Sequence, residues 1–374
     1  MINKERLIST LQALIRIDSS NPGADERKIA SWVAGYLKKI GVQCRQYSFA
    51  KNRPNVLASM GKSAGRALLI TPHLDTVPPG CGWRSDPFGA QISGEKIFGL
   101  GSTDCKCNLA AALEAMHSLR EERIPLSYKL VFAATADEES GSEHGLIPLI
   151  NSGRLDVDAA VVLDADDFEV IVAQKGLLHV KICVQGRRAH GAYPWLGINA
   201  IDLMAEILSR IRAYRFKSVK KNRYLRPPTV NTGTIRGGDK VNIVAGWCEC
   251  ELDFRYLPGM PSDTIIKDVR NIVRRVAARA AVKIEAVQKP YVIDGSHPLV
   301  RSYMSALKAS SIRARVHGSE GATVITFFQE RSIPAIATGF GCKNRAHMVN
   351  EYVTLDNLYR GGQVLERFLR DFSF

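Results

Sequence analysis

The sequence predicts an α/β fold with a mostly parallel central sheet, interrupted by a smaller inserted domain of β-α-β-β-α-β order. Short apolar runs at 67–71, 129–134 and 159–163 alternate with stretches of helical period, the pattern of strands joined by crossover helices. The texture changes after Gln174-Lys175-Gly176 to half-exposed strands and two amphipathic helices, the split β-α-β arrangement of ferredoxin-like domains. The length of 374 residues, 45% of them hydrophobic, suffices for two ordinary cores.

Leu7, Leu11 and Leu14 recur at helical spacing, and a second helix over 25–40 carries Ile29, Val33, Leu37 and Ile40 as its stripe, with a turn at Asn21-Pro22-Gly23 between them. Strands follow at 55–60 and 67–71, a helix at 108–119, a strand at 129–134, a helix at 145–151 and a strand at 159–163. In the inserted segment the sequence predicts strands at 177–184, 229–235, 242–254 and 282–287. Its helices fall at 199–211 and 262–278, the latter with Ile265, Val269, Ile272 and Val276 on one face. The domain expectation is therefore 1–175 and 289–374 for the larger domain and 176–288 for the insertion.

Lys and Arg number 51 against 37 Asp and Glu, a net charge of +14. The basic residues form no long run and no aromatic-interleaved motif, so the charge reads as an ordinary basic enzyme surface rather than a nucleic-acid interface. No apolar stretch approaches a membrane span or a signal peptide, so the expectation is a cytoplasmic protein without membrane contact. Eight cysteines are too sparse for a disulfide scaffold. Cys105-x-Cys107 and Cys248-x-Cys250 lack the spacing of structural zinc motifs, and the second pair reads as strand residues.

Five short motifs carry chemistry. His73-Leu74-Asp75 directly follows an apolar strand, where an imidazole can hold a metal while a carboxylate orients its other face. Asp104 precedes the helix at 108–119, where a carboxylate could bridge two cations or simply sit near a helix N-terminus. Asp137-Glu138-Glu139 ends the strand at 129–134; adjacent acidic residues repel unless a cation lies near, and one Glu can ligate while its neighbour serves as a base. Asp164, Asp166 and Asp167 follow the strand at 159–163, and His347 lies in a loop after a strand at 335–338. Singly each is unremarkable; together they place two imidazoles and several carboxylates at strand ends, a donor set suited to zinc and metal-assisted hydrolysis.

In this order, the motifs resemble the di-zinc amidohydrolases and metallopeptidases that include acetylornithine deacetylase, succinyl-diaminopimelate desuccinylase, aminoacylase and glutamate carboxypeptidase. The stretches Gly186–Pro194 and Asp253–Gly259, and Pro78-Pro79-Gly80 with Trp83 and Asp86-Pro87-Phe88, resemble the same family. The resemblance implies a zinc-peptidase-like catalytic domain with an inserted lid and dimerisation domain, hence a homodimer. It implies two divalent ions, zinc foremost with cobalt or manganese also suited. His73 and Asp164 would hold one ion, Glu139 and His347 the other, and Asp104 would bridge them. Asp75 would orient His73, and Glu138 would be the general base. His190 would reach the scissile carbonyl from the partner subunit, and Asn242 and Arg255 would grip the substrate carboxylate. The loop containing Glu320 and Gly321 would line the pocket, with Glu320 able to meet a cationic side chain. Two departures, Cys107 and Gly191, replace no ligand. The implied activity is hydrolysis of a small N-acyl amino acid, of the N-acetylornithine type. The alternatives are a desuccinylase, a di- or carboxypeptidase acting on dipeptides at the same centre, and, remotely, a non-catalytic metabolite-binding protein.

Overall fold

Apolar residues fill Ala67–Thr71, Lys129–Ala134, Ala159–Leu163 and Ala335–Thr338, and all but Lys129 are buried in the computed structural model. The model describes residues 1–374 apart from Ala24, Ser63, Ala165, Ser218 and Val219. These four strands run parallel, with Ala67–Thr71 between Lys129–Ala134 and Ala159–Leu163, and Ala335–Thr338 beyond the last. Burial on both faces is what a parallel sheet under crossover helices requires. Antiparallel strands extend it. Pro54–Gly61 pairs with Lys129–Ala134, Cys44–Ser48 lies outside it, and Ile171 pairs with Ala337 at the other end. The result is a parallel centre with antiparallel margins.

By packing, the chain divides into one unit of Met1–Val172, Ile293–His317 and Phe327–Phe374, and a second of Ala173–Val292 with Gly318–Thr326. In the first, helix Lys4–Ile15 starts at Asn3, whose side chain accepts the Arg6 N–H, and buries Leu7, Leu11 and Leu14. Helix Lys106–Glu121 begins two residues before its expected start and is buried along most of its length. Helix Leu355–Asp371, capped by Thr354, buries Gly361 and Gly362. A Cβ on Gly361 would lie 2.3 Å from the buried Phe340 ring, whereas one on Gly362 would meet only side-chain atoms of Ile2 and Leu7 at 3.2 and 3.3 Å. Gly361→Ala is therefore expected to cost about 1–3 kcal/mol by overpacking. Gly362→Ala should be near neutral, because a helical Gly→Ala gain of about 1 kcal/mol offsets a small adjustment. Urea unfolding of the two variants checks this; equal effects would contradict it.

The second unit is a four-stranded antiparallel sheet in the order Thr229–Gly237, Trp247–Tyr256, Gly176–Gln185, Ala281–Gln288. Helices Ala200–Arg212 and Ser262–Val276 contribute Met204, Ile207, Ile265 and Val269 to a core with Val180, Ile182, Leu252 and Phe254. This is the expected β-α-β-β-α-β order. The strand expected from 242 begins only at Trp247, because Val244 bonds to Ala189 and His190 bridges Ile243. Cys248 and Cys250 are buried strand residues. The segment Gly318–Thr326, expected in the larger domain, packs with this unit instead. Gln174 and Gln288 amides donate to the Thr323 carbonyl, and Gln174 accepts from the Thr323 N–H and hydroxyl. Among the described residues no helix is long and apolar enough to cross a membrane.

Candidate functional site

The C-terminal ends of the four parallel strands lie along one edge of the first unit's sheet, where α/β folds place their ligands. His73 lies just past Ala67–Thr71, Glu138 and Glu139 past Lys129–Ala134, Asp164 directly after Ala159–Leu163, and His347 in the loop after Ala335–Thr338. His73 Nε2 is 3.0 Å from Asp104 Oδ1 and 3.5 Å from Asp164 Oδ1. On the other side of Asp104, His347 Nε2 is 3.2 Å from Oδ2 and 3.1 Å from Glu139 Oε2. One carboxylate thus faces two imidazoles, each of which faces a further carboxylate.

These residues fit a pair of divalent cations. Five side chains bring N and O donors together, and Glu139 Oε1 is buried with no hydrogen-bond partner among the described residues. A buried, unpaired carboxylate oxygen is costly unless a cation meets it. The tautomer fits as well. His73 Nδ1 is 2.9 Å from the main-chain carbonyl of Asp75; a carbonyl only accepts, so Nδ1 carries the proton and Nε2 presents its lone pair.

Electrostatics mark the cluster. Burial opposes ionisation of Asp104, but the His347 and His73 imidazoles outweigh it and hold the carboxyl well below its ordinary range. Hydrogen bonds to Asp104 and Glu139 push His347 up to about 10. Burial, and then the negative charge of Asp164, raise the Glu138 carboxyl well above its usual value.

Asp75, expected to orient His73, touches that ring through two groups. Its carboxylate is the more distant partner of His73 Nδ1, at 3.5 Å, behind its own carbonyl. The carboxylate also accepts the backbone N–H groups of Glu138 and Glu139, at 3.1 and 3.2 Å, and the Asn21 amide at 2.9 Å. Asp75 therefore aims the acidic turn with its carboxylate and His73 with its carbonyl. Behind it lie residues the sequence reading did not assign. Arg53 bonds the fully buried Glu26 and reaches Asp137 at 3.1 Å, while Asp137, in a left-handed conformation at φ 65°, accepts the His144 N–H. Asn21 was legible only as part of a turn. Cys105, set aside as a ligand, lies beside the cluster with its sulfur accepting the His73 N–H.

The remaining expected residues belong to the second unit. His190 accepts the Ala192 N–H through Nδ1, and with Asn242, Arg188 and Lys240 it lines an open cleft of about 460 Å³. Arg255 is paired through Nε with both oxygens of Asp253, which the sequence alone did not indicate. Glu320 also differs from its expected role. Its carboxylate is 2.6 Å from the buried Lys175 ammonium and accepts the Arg226 N–H. Burial opposes its ionisation, but these two partners hold the carboxyl below its ordinary value. Its charge is engaged by Lys175 and the Arg226 N–H within the unit, not held free to meet a cationic side chain. Gly321 donates its N–H to Ser319 Oγ in the same loop.

The sequence matches the protein-family model of peptidase family M20/M25/M40 over residues 69–371. Acetylornithine deacetylase of Edwardsiella ictaluri is 28% identical over 386 residues, covering 98% of this chain and 97% of that protein. The acetylornithine deacetylase of Klebsiella pneumoniae is 30% identical over 353 residues, covering 90% and 87%. Among solved structures, the aminopeptidase PepT of Bacillus cereus superposes with a TM-score of 0.84 at 22% identity, over 99% of this chain and 98% of that one. A dinuclear metal-binding M20 peptidase of Bacillus subtilis gives 0.77 at 15% identity, over 98% and 97%.

Proposed function

The chain belongs to peptidase family M20/M25/M40 and is an enzyme that hydrolyses amide C–N bonds, and from that premise we propose that it deacylates a small N-acyl amino acid through a two-metal centre. The observation that carries this is Asp104 between His73 and His347, with Asp164 and Glu139 beyond them and the half-buried Glu138 on the same turn as Glu139. We assign His73, Asp164, Asp104, Glu139 and His347 to hold the two cations, zinc suiting this donor set best. When bound, such cations polarise the scissile carbonyl and acidify water. Glu138 takes a proton from the attacking water and delivers it to the leaving amine. Asp75 holds the turn bearing Glu138 in place through two backbone bonds. His190, from a partner subunit, donates to the developing oxyanion, and Asn242 and Arg255 bind the substrate carboxylate, for which Arg offers charge-assisted hydrogen bonds.

The substrate class follows the named relatives, whose acetylornithine deacetylases align over most of the chain. A panel of N-acetylornithine, a neutral N-acetyl amino acid, an N-succinyl amino acid and a dipeptide, assayed with metal-reconstituted protein, tests it. The acetyl compounds should give the highest kcat/KM; a dominant dipeptide or succinyl substrate would replace the assignment. Glu320→Ala should leave the ratio between cationic and neutral side chains within about twofold, since Lys175 already holds that carboxylate.

Assembly as a homodimer through the second unit is supported by exposed Trp195, Leu196, Ile198 and Ile235, and by the exposed edge strand Thr229–Gly237. Mixing inactive Glu138→Gln and His190→Ala proteins should restore part of the activity, because one site per heterodimer regains both groups. No recovery despite demonstrated subunit exchange would exclude catalysis across subunits.

A further inference from the structure

Glu351 is fully buried and takes no part in the chemistry above, yet its carboxylate gathers the loop that carries Asp104. Oε2 accepts the Gly101 N–H at 2.9 Å, and Oε1 accepts those of Thr103 at 2.6 Å and Asp104 at 2.9 Å. Its main-chain carbonyl accepts the Gly99 N–H at 3.0 Å. Three backbone N–H groups converging on one carboxylate form an anion nest, here closed by a side chain from the far end of the chain. Two further bonds tie the same segments together. Thr103 Oγ1 donates to the Tyr352 carbonyl at 2.8 Å and accepts the Cys342 N–H at 3.1 Å. Glu351 also ends the loop that bears His347, four residues earlier.

We infer that Glu351 is a positioning residue that locks the Asp104 loop against the His347 loop and thereby sets the approach of the His347 imidazole to the Asp104 carboxylate. The geometry is specific to a carboxylate. Each oxygen accepts, so all three N–H groups are satisfied at once; an amide would turn an NH2 group toward at least one of them. A loop with one unmet N–H can move by a fraction of an ångström, and metal ligands tolerate little of that. This inference rests on the assignment of Asp104 and His347 as metal ligands.

The test uses the full-length protein and the variants Glu351→Gln and Glu351→Asp, titrated with Co²⁺ alone. Glu351→Gln should weaken binding of the ion shared by Asp104 and His347 by about 10–100-fold, the usual effect of removing a partner behind a ligand. The visible Co²⁺ spectrum should change with it. In turnover, kcat should fall by a similar factor while KM stays within about threefold, because the substrate contacts are untouched. Glu351→Asp, which keeps both acceptors, should recover part of the loss. In metal-free protein, amide hydrogen exchange at Gly101, Thr103 and Asp104 should accelerate in Glu351→Gln. A purely structural residue would lower the melting temperature but leave Co²⁺ affinity, spectrum and kcat per folded molecule at wild-type values, and that result overturns the inference. If Glu351→Gln does not fold, Glu351→Asp decides on the same readouts. Failure of the wild type to bind metal would instead refute the metal-centre assignment; the exchange rates would then decide whether Glu351 orders the loop.

Discussion

Glu138→Gln should retain both metal ions and lose about 10²–10⁴-fold or more in kcat, the range expected for removal of a general base. The substitution keeps the shape of the side chain and the backbone N–H that bonds Asp75, so the acidic turn stays where Asp75 holds it. What disappears is the ability to accept a proton from water and return it to the amine. The group is well placed for that work, half-buried and within electrostatic reach of Asp164, His73, Glu139 and Asp104. Its neighbour Glu139 instead faces His347 at 3.1 Å, so the two adjacent glutamates are separated in role by direction. Steady-state kinetics together with metal analysis of the purified variant distinguish the outcomes. A kcat near wild type would remove Glu138 from the mechanism. A loss of metal alongside activity would reassign it as a ligand.

Chelation should abolish turnover, and activity should return in proportion to metal until two equivalents per chain are bound. The reason is local charge. Asp104, Glu139 and Asp164 are held within a few ångströms of the same two imidazoles, and like charges so placed favour a bound cation. Binding to the native state alone also stabilises it, by about 4 kcal/mol when free metal exceeds Kd 1,000-fold. Thermal melting with and without metal should show that shift. Full activity after exhaustive dialysis against chelator, with no metal found in the protein, would sink the two-metal reading.

Much of the fold, and the gathering of imidazoles and carboxylates at strand ends, was legible in sequence because both rest on local signals. Apolar runs such as those at 67–71 and 159–163 are strands buried on both faces whatever lies beside them. Parallel pairing then brings the residues that follow such strands to one edge. That is why His73, Asp164 and the Glu138-Glu139 pair could be grouped without coordinates. The short strands Cys44–Ser48, Gln91–Ser93 and Lys96–Phe98 were not foreseen, since three to five residues with exposed faces carry little period-two signal.

What the tertiary structure alone decided is the pairing of each charged group. The Lys175 ammonium engages Glu320, Asp253 engages Arg255, and the Asp75 carboxylate reaches the backbone of Glu138 and Glu139 as well as His73. Glu351 meets the Gly101 N–H across 250 positions of sequence. No spacing rule reports such a contact. A strand is specified by the free energy of burying its own side chains, which composition and period express directly. A buried charge is specified by whichever partner the folded chain brings within about 3 Å, and desolvation makes that partner obligatory without marking it in the sequence.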